Sequence, residues 1–374
     1  MVWVMLPLER LIRAFRGEET DTLPWFADLT YWYSAQEKMG RLPEKYLGRG
    51  RISLYKELGC GAHEELYGSV VKTTYEGVKV KRWREETSDG RIIEKVEYHT
   101  PLGILKGYRK YSPVSFSWAW VEHPVKTVED LKKLKYIYEN LKVEADEAAY
   151  DRQERLMKEW DGWGLVSSLP PRSPFARLLI QWAGAMNTFR LYWKAREELD
   201  EVIQVMGESD DPIYEAIAEA PADFVYFGEN ISSDMVGPKI FNEYYAPYYR
   251  RRVRELHAKK KLIYVHIDGR LKGVLPLLRE TGVDCAQSLT PAPVGDVPLE
   301  DFRKLAGPGI TLWGGLPGVY FSPVYPEHLL KEMVYRILDV YGNDKRFIVG
   351  VADQVPPDGD IKRVRLVTEI LENR

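Results

Sequence analysis

Cysteine is scarce in this sequence. The 374 residues hold two, Cys60 and Cys285. That is too few for a disulfide scaffold, so the expected setting is a reducing one, the cytoplasm. An excess of positive charge is also missing. Lys and Arg total 53 against 56 acidic residues, a formal net charge of -3. This balance argues against a general nucleic-acid binder and against a membrane-surface binder. No apolar run approaches the roughly 18 residues needed to span a bilayer. The opening MVWVMLPLERLIRAF has no basic leader and no small-residue cleavage site, so it is not expected to be a signal peptide. Gly314, Gly315 and Gly318 form neither a GxGxxG string nor a Walker loop, which leaves nucleotide binding without support. No short repeat, low-complexity tract or Gly/Ser linker divides the chain. The expected organisation is therefore a single domain over residues 1–374.

What is present is a large apolar fraction, 45%, and many rings: 24 Tyr, 11 Trp and 11 Phe. The C-terminal half has a strand–helix rhythm. Apolar runs at Asp223–Asn230, Leu262–His266, Val283–Leu289, Ile310–Trp313 and Phe347–Val351 alternate with helical stretches such as Pro238–Lys260, Glu327–Tyr341 and Ile361–Glu372. Consecutive apolar positions suit strands buried on both faces, and the alternation suits parallel βαβ units. An open doubly wound sheet would also alternate. A (β/α)8 barrel is preferred, because several separated strand ends carry residues capable of chemistry, and those ends form the active face of a barrel. Leu23–Leu29 is a candidate first strand. Residues at about 66–110 read differently, as β-rich runs broken by Glu76-Gly77 and Asp89-Gly90, which are hairpin signals. An antiparallel excursion inserted in the barrel is expected there.

The strand ends supply the candidate site. His266 and Asp268 stand two residues apart, on one face of an extended segment. They could hold a metal, or pair a carboxylate with an acid/base histidine. The ordinary alternative is a packed histidine followed by an Asp-Gly turn. Glu229 in FGEN is a candidate metal ligand or base, with Asn230 beside it as a substrate contact. Cys285, in VDCAQSL, is either a thiolate ligand or a small core residue. Asp353 lies between an apolar strand and a proline-rich turn, where it could orient substrate or donate a proton. Arg172 could bind a carboxylate. Most rings should be packing. Those after strand ends, Trp32, Trp118 and Trp313, are the ones expected near substrate, whereas Tyr244, Tyr248 and Tyr249 should pack on an outer helix.

LIRAFRGEETDTLPWF resembles the opening of the uroporphyrinogen decarboxylase superfamily. TPLGIL, EHPVKTVEDLKKLK, YFGEN…FNEYYAPYYRR, VHIDGRLKGVLPLLRETGVD and FIVGVADQVPPDGD follow in the order that superfamily shows. The resemblance implies a (β/α)8 barrel. It also implies one of two activities: decarboxylation of a tetrapyrrole without a cofactor, or corrinoid-dependent methyl transfer, usually with zinc. The arginine-rich RQAGRYLPEY motif of the decarboxylases is altered here to LTYWYSAQEKMGRLPEKY. The HxC motif of the coenzyme M methyltransferases is altered too, with Asp268 in the place of its cysteine and GVADQ in the place of the distant one. The branch that demethylates methylated or methoxylated substrates, and passes the methyl group to a corrinoid protein, is the better match. Some of its members use Glu and His as zinc ligands, and Glu229, Glu243 and His266 occur here in that order. The resemblance thus implies a methyltransferase with zinc held by Glu229 and His266; the residues themselves add Cys285 or Asp268 as a further ligand, and Asp353 and Asp268 as catalytic groups. Its methyl donor would be a small molecule, and its cobalamin would come from a partner protein, since the chain has no DxHxxG string. A homodimer is expected by the same analogy. The alternative is a decarboxylase of a porphyrinogen or a smaller acid, with an arginine-lined mouth.

Overall fold

A computed structural model describes residues 4–48, 50–66 and 70–373, with the side chains of 64–66 left out. In chain order its strands are β1 (Trp25–Phe26), β2 (Ala62–Leu66), β3 (Val71–Tyr75), β4 (Lys79–Glu86), β5 (Ile92–Thr100), β6 (Gly103–Ser112), β7 (Ser117–Glu122), β8 (Leu141–Ala145), β9 (Gly164–Ser168), β10 (Phe224–Ile231), β11 (Leu262–Ile267), β12 (Cys285–Leu289), β13 (Thr311–Pro317) and β14 (Phe347–Ala352). Eight of them form one parallel sheet in the order β1-β14-β13-β12-β11-β10-β9-β2. The ring closes where Phe26 bridges Gly61 and the Gly61 amide donates to the Trp25 carbonyl at 2.8 Å. A side chain at Gly61 would stand 2.5 Å from the Phe26 ring, so glycine is what allows the seam to close. The expected (β/α)8 barrel is the observed fold.

Every described residue of β12, β13 and β14 is buried, which accounts for their continuous apolar runs. The lower end of the barrel is plugged by the helix Pro7–Arg16. Its Leu11, Ala14 and Phe15 join Phe224, Cys285 and Ile348 in one apolar cluster. Phe15 meets Phe224 edge to face at 5.4 Å, and Thr311 Oγ1 donates to the Ala14 carbonyl at 3.0 Å. Burying each such aromatic side chain contributes roughly 2 kcal/mol. Because the plug occupies the end where strands begin, the strand ends at the other rim are left for chemistry.

The chain forms two compact units. One comprises residues 1–69, 147–170 and 218–374 and contains the barrel. The other comprises 70–146 and 171–217. The antiparallel region lies in the second unit and runs beyond the expected 110. It is a four-stranded meander, β4-β5-β6-β7, extending to Glu122, with a separate antiparallel pair of β3 and β8. Asp89-Gly90 is a hairpin turn, with Gly90 at φ 74° between paired β4 and β5. Glu76-Gly77 is not. Its flanking strands belong to different sheets, and Gly77 (φ 68°) turns the chain from one to the other. Helix Val128–Glu139 starts at a capping box in which Thr127 and Asp130 satisfy each other's backbone amides. Among the described residues no helix is long and apolar enough to cross a membrane.

Candidate active site

Polar side chains collect where the barrel strands end. His266, the fifth residue of β11, is 4% exposed. Its Nδ1–H donates to Gln287 Oε1, on neighbouring β12, at 2.6 Å. That bond fixes the ring and leaves Nε2 as the presented atom. Asp353 follows β14, and its Oδ1 lies 3.5 Å from His266 Nε2. Partial desolvation holds the Asp353 carboxyl above the ordinary carboxylate range. The charge of His266 opposes this, while those of Asp28 and Asp268 reinforce it. Asp353 is therefore placed to keep a proton next to a histidine nitrogen that can share it.

Asp28 supports this pair from the end of β1. It is buried, its Oδ1 accepts from the Thr30 amide at 2.9 Å and from the Thr30 hydroxyl, and its Oδ2 accepts from Gln354 Nε2 at 2.9 Å. Gln354 adjoins Asp353, so Asp28 pins the loop that carries it. Trp32 adds a second tie, its indole N–H donating to the Gly359 carbonyl at 2.9 Å, and Gln36 adds a third to the Pro357 carbonyl at 2.6 Å. Trp32 is 5% exposed, so the structure gives it loop anchoring where sequence suggested substrate contact.

Below this rim lies a ring of aromatics around His63 of β2. Tyr226, Tyr264 and Trp313 surround the His63 ring at centroid distances of 5.7, 5.5 and 5.4 Å. A 2.6 Å hydrogen bond joins His63 Nε2 to the Tyr264 hydroxyl, which meets Ser167 Oγ at 2.7 Å. Burial pushes His63 down to about 4, with Asp28 opposing and His266 adding to the shift. His63 is therefore neutral near pH 7. Trp313 is 3% exposed, between His63, Tyr264 and Phe26. It is wall, packed inside the barrel beneath the rim.

The remaining candidates divide. Asn230, the last but one residue of β10, has φ 54°, and its Nδ2 lies 3.4 Å from Asp268 Oδ2, which brings those two together on the exposed rim. Glu229 is buried beside them. Cys285 is a correction. It pairs in register with Tyr264, two residues before the Gln287–His266 pair, and lies in the apolar plug cluster, fully buried. Burial drives its thiol well above the ordinary range, which disfavours a thiolate ligand. Trp118 belongs to β7 in the second unit, where Arg84 and Arg109 lie against its ring. Arg172 is in the second unit as well, at the start of its returning segment. Gly314 is required by the close approach of β12, since a side chain there would meet the Leu289 backbone at 2.5 Å.

A zinc site built from Glu229, His266 and Cys285 does not assemble. Among the described residues no three His, Cys, Asp or Glu side chains form a group that could hold a metal ion. His266 and Asp353 alone make two donors, short of the three protein ligands of a catalytic zinc.

The sequence pattern of the uroporphyrinogen decarboxylase family (URO-D) matches residues 118–374, which includes six of the eight barrel strands. The chain belongs to that family. A search of curated proteins found no match. Among solved structures, a methyltransferase from Methanosarcina mazei superposes with a TM-score of 0.64 over 99% of both chains, at 12% identity. At that identity the likeness is one of fold, which this URO-D chain shares from end to end. A D-psicose 3-epimerase from Clostridium cellulolyticum H10 gives 0.36 over 60% of this chain and 82% of its own, at 7% identity. The ribulose-1,5-bisphosphate carboxylase/oxygenase of Pyrococcus horikoshii OT3 gives 0.31 over 64% and 47%, at 9% identity.

Sequence reasoning missed Asp28, His63 and Gln287. Asp28 carried the same signal as Asp353, an acid directly after an apolar run in LPWFADL. Gln287 sits two residues after Cys285, on the same strand face, and strand phase alone could have placed it at the height of His266.

Proposed function

We propose that this chain is an enzyme that takes a methyl group from a methylated small molecule, a methoxylated arene being the class considered, and passes it to the cobalt of a corrinoid carried by a partner protein. The observation that carries this reading is the His266–Asp353 pair at the mouth, with Asp28 and Asp268 close enough to raise the Asp353 pKa. The charges of Asp28 and Asp268 around that proton-sharing pair make the mouth acidic, which disfavours a polycarboxylate porphyrinogen and tolerates a neutral ether. Arg51, whose field reaches His63, offsets only part of that charge. The full-length fold likeness to the Methanosarcina mazei methyltransferase supports the same reading.

The chemistry asked of the protein is then modest. The corrinoid supplies the nucleophile. As the methyl carbon is attacked, the C–O bond breaks and its electron pair stays on the leaving oxygen. The proton shared by Asp353 and His266 neutralises that oxygen. Gln287 keeps the imidazole in the required tautomer, and Asp28 keeps the Asp353 loop in place. The aromatic wall of Tyr226, Tyr264 and Trp313 shapes and dries the floor. No step is routed through zinc, because the donor set does not fit it.

The test is cobalt alkylation followed by the absorbance of cob(I)alamin, with purified protein and a panel of methoxyarenes. Methyl transfer is expected. Formation of coproporphyrinogen from uroporphyrinogen, with no alkylation of cobalt, would favour the decarboxylase reading instead.

A further inference from the structure

The second unit carries a concentration of charge that the barrel chemistry does not use. On one face of the meander, Arg84 of β4, Glu94 of β5 and Arg109 of β6 stand directly opposite one another in register. The Glu94 side chain is 6% exposed, and it receives Arg84 Nε at 3.0 Å and Arg109 Nε at 2.8 Å. A third guanidinium, Arg82, stands 4.0 Å from the same carboxylate and leans on the Tyr98 hydroxyl. Burial alone would raise the Glu94 pKa, but the hydrogen bonds from Arg84 and Arg109 bring it below the ordinary value, so Glu94 is an anion. Three cations thus share one anion. Glu86, the next acid on that face of β4, forms no ion pair with them among the described residues.

One buried carboxylate is satisfied by two arginines, and the third is more than it needs. The cluster is also held rigidly. Glu94 fixes Arg84 and Arg109 from below, and the Trp118 ring lies 5.2 and 5.1 Å from their guanidinium carbons. The Arg82 and Arg84 side chains nevertheless stay 57% and 64% exposed. Surface arginines in general are mobile and solvated. Here Glu94 preorganises two of the three, the cluster carries a surplus of two positive charges, and its side chains stay open to solvent, which is the arrangement that recognises an oxyanion.

We propose that Arg82, Arg84 and Arg109 form a binding site for the dianionic group of a small molecule, a phosphate ester or a dicarboxylate. The site is independent of the methyl-transfer reading. Trp118, whose ring lies against Arg84 and Arg109, would stand beside the bound anion.

Calorimetric titration of the full chain with inorganic phosphate and, separately, with succinate tests this. Saturable one-site binding of at least one anion is expected, weakening as NaCl is raised. Phosphate alone would assign an ester, and succinate alone a dicarboxylate. Arg82→Gln should weaken the binding about tenfold, the effect of losing one charge-assisted contact. It leaves both arginines that hydrogen-bond Glu94 in place, and Arg82→Lys should recover part of the loss. Unchanged affinity in Arg82→Gln, or no saturable binding of either anion at millimolar concentration, would overturn the proposal. Binding of a polyglutamate peptide but of neither small anion would also overturn it, in favour of an acidic protein partner.

Discussion

The barrel and the meander are both β-rich, and they treat polar side chains in opposite ways. Strands β12 to β14 are buried along their whole length, so a charged side chain anywhere on them would carry a large desolvation cost. Charges are pushed to the rim, and a single Asp or His there stands out. Strand β4 is exposed or half-exposed at every residue, and the meander is laced with ion pairs such as Lys95–Glu85 and Arg84–Glu94. Charge is ordinary in such a sheet. In the barrel, therefore, one polar residue at a strand end is informative, whereas in the meander only an imbalance is. The His266–Asp353 pair is a signal of the first kind, and three arginines on one glutamate are a signal of the second.

The sharpest way to break this contrast is at the rim. Asp353→Asn keeps the shape of the side chain and removes its proton. It is expected to lower kcat for methyl transfer by about a hundredfold or more, the usual scale of a general acid. Steady-state kinetics with a methoxyarene donor read this. The pH profile should show the same group, since the raised Asp353 pKa means that activity falls as pH rises through it and the proton is lost. In Asp353→Asn that alkaline limb should disappear. A smaller effect is expected at Asp28. Asp28→Ala frees Gln354 and loosens the loop, so kcat should fall by about tenfold, with the limb kept but displaced.

Stability gives the next test. His63 titrates at about 4 in the fold, below its ordinary value near 6.5. Between those values the unfolded chain binds the extra proton and the native chain does not, so stability falls as pH drops from about 6.5 to about 4. Urea unfolding at several pH values measures the slope, and His63→Gln should flatten it. The smallest functional effect is expected at Cys285. Cys285→Ser should leave kcat unchanged and cost about 1–3 kcal/mol of stability, because it buries a hydroxyl in the apolar plug. A large loss of activity with intact folding would restore Cys285 as a ligand.

How much of this was legible in the sequence followed the same divide. The C-terminal strands were readable because burial on both faces writes a continuous apolar run. His266, Asp268, Asn230 and Asp353 then fell at the rim where the runs stopped. The N-terminal half was only partly readable. The candidate strand Leu23–Leu29 does contain β1, but β1 is two residues long and β2 reads AHEEL, so Asp28 and His63 did not stand out at strand ends. Tyr249 of the outer helix was read correctly as packing, and it meets Phe227 at 5.4 Å. SWAWVE was not read as a strand and fell beyond the expected antiparallel region. Its exposure alternates residue by residue, which is the mark of a sheet strand with one face turned out. Cys285 was misread because distance along the barrel axis is not written in composition. It depends on strand phase, and phase puts Cys285 one layer below His266.

The central claim is that His266 and Asp353 share the proton that leaves with the substrate oxygen. Single-turnover methylation of cob(I)alamin by Asp353→Asn, compared with the unaltered chain, tests it most directly, with two methoxyarenes whose leaving phenols differ in acidity. The account predicts a large rate loss with the poorer leaving group and a smaller loss with the better one. Equal rates for the variant and the unaltered chain with both donors would contradict it.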